Sequence, residues 1–226
     1  MRRLHSWRLS VERAVILQRQ LKERLILTPP KKAIRLVAGA DCAFQPDSDR
    51  LVAAVVLMRL PGLEIVETAV AIRPAPFPYV PGLLSFREGP ALLAAFARLK
   101  RRPDAILIDG HGIAHPRGFG LAAHIGMWLD LPSVGCAKRR FVGTSRMPGP
   151  KIGDASPIRH EGRTVGFAIR TREKANPVFV SPGQRADLDF ARRLVLDCVR
   201  GHRLPEPTRL ADALAEASKP KRKRRR

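Results

Sequence analysis

Apolar and polar positions change their spacing several times along the chain, and each change marks an element. From Ser10 to about Leu27 the residues Val15, Leu17, Leu21 and Leu25 form one apolar stripe, Ser10 can cap it, and Thr28-Pro29-Pro30 ends it, so a helix is expected. Three stretches rich in Val and Ile follow, Ile34–Phe44, Leu51–Leu60 and Leu63–Ile72, separated only by Gln45–Arg50 and by Pro61-Gly62. That pattern predicts an antiparallel three-strand meander. Beyond it the period alternates. Ser85–Leu99 reads as a helix, Ala105–Asp109 as a buried strand, Gly120–Leu129 as a helix and Ser133–Ala137 as a second buried strand. Thr164–Arg170 and Val178–Val180 read as further strands and Asp187–Arg200 as a long helix, followed by the Pro-spaced segment Leu204–Ala217. A meander followed by alternating helices and buried strands argues for one α/β domain, a mixed sheet flanked by helices.

Charge changes the picture more than length does. The 226 residues carry 42 Lys and Arg against 20 Asp and Glu, a net charge of +22, and only part of that excess sits in the terminal run Lys219–Arg226. Such a chain attracts polyanions, which puts nucleic acid or an anionic membrane surface first among partners. No run approaches the roughly 18 apolar residues of a membrane span. The first residues, Met-Arg-Arg-Leu-His-Ser-Trp, lack the apolar stretch of a secretory signal. Cys42, Cys136 and Cys198 are scattered and form no metal-ligand spacing, so a reducing cytoplasm is the expected setting. The run after Ala217 should be disordered, because a block of like charges has nothing to bury.

In so basic a chain, acids inside apolar strands are the anomaly. Asp41 lies within Val37-Ala-Gly-Ala-Asp41-Cys-Ala-Phe44, and Asp109 ends Ile106-Leu-Ile-Asp109 just before Gly110-His-Gly112. A carboxylate there costs several kcal/mol unless it is paired or binds a cation. Two on adjacent strands make a hard-oxygen site suited to Mg²⁺ or Mn²⁺, and hence to metal-assisted phosphodiester cleavage. The alternative is that each caps a turn or pairs with one of the many arginines. Glu88 has a local explanation as the far half of a capping box, Ser85-Phe-Arg-Glu88. The proline-stiffened loop Phe77-Pro78-Tyr79-Val80-Pro81-Gly82 is either a surface turn or a wedge that enters a base stack and helps extrude a base. In Gly110–Gly120 the glycines permit close approach of a ligand, and His111 and His115 suit hydrogen bonds that hold the loop. Lys138, at the end of a buried strand, either meets a phosphate or belongs to a solvated basic face.

At these residues the sequence resembles the endonuclease V family, the deoxyinosine 3′ endonucleases. The likeness runs from about Ser10 to Ala217 and includes Gly39-Ala-Asp41, Pro78-Tyr-Val-Pro-Gly82, Leu84-Ser-Phe-Arg-Glu88, Asp109-Gly-His-Gly112 and His115-Pro-Arg117. It continues through Gly120–His124, Gly135-Cys-Ala-Lys138, Val180-Ser-Pro-Gly183 and Leu204–Asp212. The resemblance implies a ribonuclease-H-like fold over residues 1–217. It also implies Mg²⁺-dependent hydrolysis, with Mn²⁺ as a substitute, of the second phosphodiester bond 3′ to deoxyinosine, leaving 3′-hydroxyl and 5′-phosphate ends. Carried over, Asp41 and Asp109 are metal ligands with Glu88 a third acid, and Lys138 is the active-site lysine. Pro78, Tyr79 and Pro81 form the wedge, while Gly82, Gly110, Gly112 and His115 belong to the base pocket. The implied partner is DNA containing deoxyinosine, bound by a monomer.

One position departs from the pattern: after Val180-Ser-Pro-Gly183 the family usually has histidine, and here Gln184 stands. Glutamine forms hydrogen bonds but does not titrate near neutrality, so a catalytic role at Gln184 predicts a slower nuclease. Two alternatives remain at this level: cleavage at inosine in RNA, or a weakened protein that binds lesions or structured DNA without cutting.

Overall fold

The computed structural model describes residues 4–45 and 49–220. The expected meander is present as β1 (Leu36–Gln45), β2 (Arg50–Arg59) and β3 (Glu64–Pro74), antiparallel throughout. β2 is buried along almost its whole length because helices cover both faces of the sheet, which is why it reads as an unbroken apolar run. β4 (Ala105–Ile108) lies parallel to β1, and β5 (Ser133–Ala137) parallel to β4. Beyond β5 come β6 (Ala155–His160), β7 (Arg163–Ile169) and β8 (Val178–Pro182), giving among the described residues eight strands in the order β3-β2-β1-β4-β5-β8-β7-β6. The mixed sheet expected from the sequence is therefore observed.

Among the described residues five helices flank it: α1 (Val11–Lys22), α2 (Leu84–Phe96), α3 (Leu121–Leu129), α4 (Leu188–Asp197) and α5 (Glu206–Ala217). The pleat sorts the core. Ala38, Ala40, Ile106 and Ile108 face α2 and α3, whereas Val37, Ala105, Leu107, Val134 and Cys136 face α4 and α5. Contact is closest where α5 begins, since a Cβ on Gly39 would overlap the backbone of Pro207.

Three expectations need correction. α1 stops at Lys22 rather than Leu27, because Ile26 is engaged elsewhere: its N–H donates to Gln184 Oε1 at 3.2 Å and its carbonyl accepts from Arg185 N at 2.5 Å. The strand β6 has no counterpart in the apolar pattern; it is an edge strand with Pro157, and only Ile158 in it is buried. The Pro-spaced segment after Leu204 is helix α5, since Pro205 and Pro207 sit at its start, where no helical N–H bond is lost. Among the described residues no helix is long and apolar enough to cross a membrane. Most of the basic run after Lys219, expected to be disordered, lies outside the described residues.

Candidate active site

The parity of the strands decides where the acids meet. Ala40 pairs with Ile108 between β1 and β4, so Asp41 and Asp109 are the next residues along two neighbouring parallel strands. Both continue the odd-numbered face, the face covered by α5. Lys138 continues the same face at the end of β5, beyond Cys136. α5 then contributes Asp212. Lys138 Nζ stands 2.7 Å from Asp109 Oδ2 and 3.7 Å from Asp212 Oδ1. Glu88 arrives on α2, from the other side of the strand ends, close enough for its charge to act on Asp109 and on Cys42.

The proximity leaves an electrostatic signature. Burial, then the Asp109 charge, then a hydrogen bond to Asp212 push the Asp41 carboxyl up to about 9. Burial and the charge of Asp109 push Glu88 up to about 8. Asp109 is also raised by burial, against the pull of Lys138. For Lys138 burial opposes the charge, but Asp109, Asp41 and Asp212 outweigh it and hold its pKa above that of an ordinary lysine. As it stands, the protein carries protons on carboxyls that would otherwise repel one another.

Oxygen donors alone, held close and short of positive charge, suit a hard divalent cation. Among the described residues no three His, Cys, Asp or Glu side chains stand close enough to grip an ion outright. The donor chemistry nevertheless fits, and the Lys138 ammonium between two carboxylates marks where positive charge is required.

Beside this cluster lies a pocket of about 330 Å³, lined among others by Tyr79, Val80, Pro81, Gly82, His111 and Phe141. It is of a size that takes one small ligand. Tyr79 is 73% exposed at its rim. The Gly82 carbonyl is gripped by three donors, Gln18 Nε2 at 3.0 Å, His115 Nε2 at 3.0 Å and Arg117 Nη2 at 2.6 Å. Gly82 has φ +81°, and a Cβ there would meet Arg117, so glycine is required for this latch. Burial is the main reason His111 and His115 are both lowered to about 4, which leaves these two imidazoles of the pocket wall uncharged at neutral pH.

The structure brings Asp41, Asp109, Glu88 and Lys138 together and sets Tyr79, Pro81, Gly82 and His115 around the pocket. Pro78 is exposed in the same loop. Gly110 and Gly112 flank the pocket residue His111; Gly112 serves packing, since a Cβ would overlap the Pro182 carbonyl on β8. Two readings are corrected. Ser85 is no cap: α2 begins after Leu83, and Ser85 Oγ bonds instead to His124 Nδ1 at 2.9 Å, which frees Glu88 for the acidic cluster. Gln184 is not brought to the carboxylates. Its N–H donates to Ser133 Oγ at 2.8 Å at the first residue of β5, a strand length of about 16 Å from Lys138. There it is 4% exposed and holds Ile26.

Comparison with known proteins shows the family. The model of the endonuclease V family matches residues 19–213. The chain belongs to the endonuclease V family. It is 50% identical over 211 residues to endonuclease V of Xanthomonas campestris, covering 93% of this chain and 89% of that protein. With endonuclease V of Gloeobacter violaceus the identity is 45% over 213 residues, 92% of this chain and 86% of the relative. The crystal structure of endonuclease V from Streptomyces avermitilis superposes with a TM-score of 0.89 at 41% identity and 94% coverage of both chains. The human endonuclease V structure gives 0.83 at 31% identity, over 92% of this chain and 97% of that one. The sheet is thus the ribonuclease-H-like sheet of endonuclease V, and the protein is a nuclease.

The position that sequence reasoning missed is Asp212. It lies in the segment Leu204–Asp212 that carries the family likeness, yet only the packing of α5 on β1 reveals that it faces Asp41. An acid in an otherwise small-residue turn, Leu210-Ala-Asp212-Ala, was the available signal.

Proposed function

We propose that this nuclease nicks DNA at deaminated adenine, hydrolysing the second phosphodiester bond 3′ to deoxyinosine and leaving 3′-hydroxyl and 5′-phosphate ends. The observation that carries the reading is one short loop: Asp109 at its start belongs to the acidic cluster, and His111 and His115 within it line the pocket. A base held in the pocket and a phosphate held at the carboxylates thereby keep a fixed relation, which is what cutting at a set distance from a lesion needs.

Asp41, Asp109 and Glu88 would hold Mg²⁺, with Mn²⁺ as a substitute; a cation there neutralises the phosphate and makes water a better nucleophile at neutral pH. Lys138, aimed by Asp109, meets a non-bridging oxygen of the scissile phosphate. Asp212, beside Lys138, is placed to orient the attacking water. Tyr79, on the stiff loop Pro78–Pro81, enters the stack where the base has left it. The latch on Gly82 keeps that loop rigid, and the neutral histidines leave a wall that accepts the uncharged hypoxanthine ring.

A denaturing gel tests this with a duplex bearing one deoxyinosine, Mg²⁺ or EDTA, and Asp109→Ala as control. A Mg²⁺-dependent nick immediately 3′ of the lesion's 3′ neighbour, absent in the variant, is the expected result. Cleavage of inosine RNA but not of the duplex would assign the activity to RNA, and binding without any nick would sink the proposal.

A further inference from the structure

Lys138 is the first residue past β5, and the ladder that would hold its backbone ends there. The last β5–β8 pair is Ala137 with Phe179, and Pro177, just before β8, has no N–H to offer. The carbonyls at this open end are met instead by one guanidinium. Arg203, half-buried in the loop between α4 and α5, donates from Nη2 to the Lys138 carbonyl at 2.6 Å and to the Pro177 carbonyl at 3.0 Å. Its Nε donates to the Asn176 carbonyl at 2.9 Å. Its own carbonyl accepts from the Thr171 hydroxyl at 2.5 Å, so the arginine is tied at both ends. A planar fork with donors in fixed directions matches three converging carbonyls as a flexible ammonium cannot.

We infer that Arg203 is a positioning residue for the reaction: it sets the backbone of Lys138, and with it the reach of the lysine to Asp109 and the scissile phosphate. The same loop leads into α5, which carries Asp212, so one guanidinium fixes the end of β5 at the root of the helix that completes the acidic cluster. Its charge also acts on Asp109 from behind, in the same sense as that of Lys138.

The inference rests on the nuclease reading above, and its test separates the two. Single-turnover cleavage of the deoxyinosine duplex is compared for wild type, Arg203→Met and Arg203→Lys, alongside duplex affinity in EDTA and thermal stability. Arg203→Met should cut about 10- to 100-fold more slowly, the usual effect of displacing a catalytic group by an ångström, with affinity and melting temperature held. Arg203→Lys should recover only part of the rate, because one ammonium can meet the Lys138 carbonyl but not all three carbonyls at once. A wild-type rate in Arg203→Met, or equal loss of cutting, binding and stability, overturns the role. A second readout needs no substrate: acetylation of Lys138 by acetic anhydride, followed by mass spectrometry, should quicken in Arg203→Met as the ammonium loses its seat against Asp109. Unchanged labelling overturns the inference even if the wild type proves to cut something else; a wild type that ignores deoxyinosine while the labelling shifts refutes only the substrate.

Discussion

Replacing Glu88 with glutamine should stabilise the metal-free protein at alkaline pH and leave it nearly unchanged in mild acid. Burial and Asp109 raise the Glu88 carboxyl from 4.5 to about 8, so the native state binds this proton more tightly than the unfolded chain does. The stability linked to that proton is complete below pH 4.5 and is lost as pH rises through about 8. The interval corresponds to on the order of 3–5 kcal/mol once pH passes 9. Glutamine keeps the shape and carries no proton to lose. For a chain of this length that difference is about 6–20 °C in melting temperature. Urea unfolding in EDTA, followed by the fluorescence of Trp7 and Trp128, should show similar midpoints for wild type and variant at pH 4.5. At pH 9 the variant should be clearly more stable. Adding Mg²⁺ at pH 9 should restore much of the wild type's loss and hardly move the variant, because the cation replaces the proton. Equal destabilisation of Glu88→Gln at both pH values would refute the reasoning, since it would make Glu88 a packing residue with no electrostatic strain.

Further outcomes follow from other contacts. Gln184→His should leave the single-turnover rate unchanged, whereas Gln184→Ala should cost about 0.5–1.5 kcal/mol in urea unfolding by removing the acceptor of the Ile26 N–H; a faster Gln184→His enzyme would bring that position back to the chemistry. Tyr79→Ala should weaken anisotropy-measured affinity for the lesion duplex by about 5- to 100-fold, the range of a lost stacking contact, with melting temperature held because the ring is largely exposed; lost stability with affinity intact would make it a packing residue. Burial lowers His5 and His124, which meet Nε2 to Nε2 at 2.7 Å beside Trp128, so native stability should fall as pH drops below 6.5 and unfolded histidines take up protons. His5→Gln should flatten that acid limb in urea unfolding, and an unaltered limb would place its origin elsewhere.

What was legible in the sequence divides along physical lines. The strands other than β6 were, because Val and Ile runs bounded by Pro-Gly or charged loops report local burial directly, as in β2 and β4. α5 was not assigned, since its first-turn prolines look like breakers unless the start of the helix is already known. Glu88 was ambiguous because Ser85-x-x-Glu88 satisfies a local rule; only the packing of His124 on Ser85 shows that the rule is not in use. Gln184 was misplaced for the opposite reason. The motif around it marks family membership, while its position depends on β8 running antiparallel to β5, which carries the residue after β8 to the end remote from Lys138.

The same logic explains how a chain of net charge +22 can gather Asp41, Glu88, Asp109 and Asp212 in one place. Each comes from a separate element, so no short segment bears the repulsion, and the cost is met only when β1, β4, α2 and α5 close on one another. Protons on Asp41 and Glu88, with the ammonium of Lys138, make that closure tolerable in the free protein. A cluster held this way is ready for a stronger cation but cannot by itself attract a polyanion. That task falls to the basic residues around it, among them Arg139 and Arg140 beside the pocket. Separating the two tasks lets the cluster hold its cation while the surrounding surface binds the strand, so weakening either should move a different quantity: rate for the carboxylates, salt-dependent affinity for the arginines.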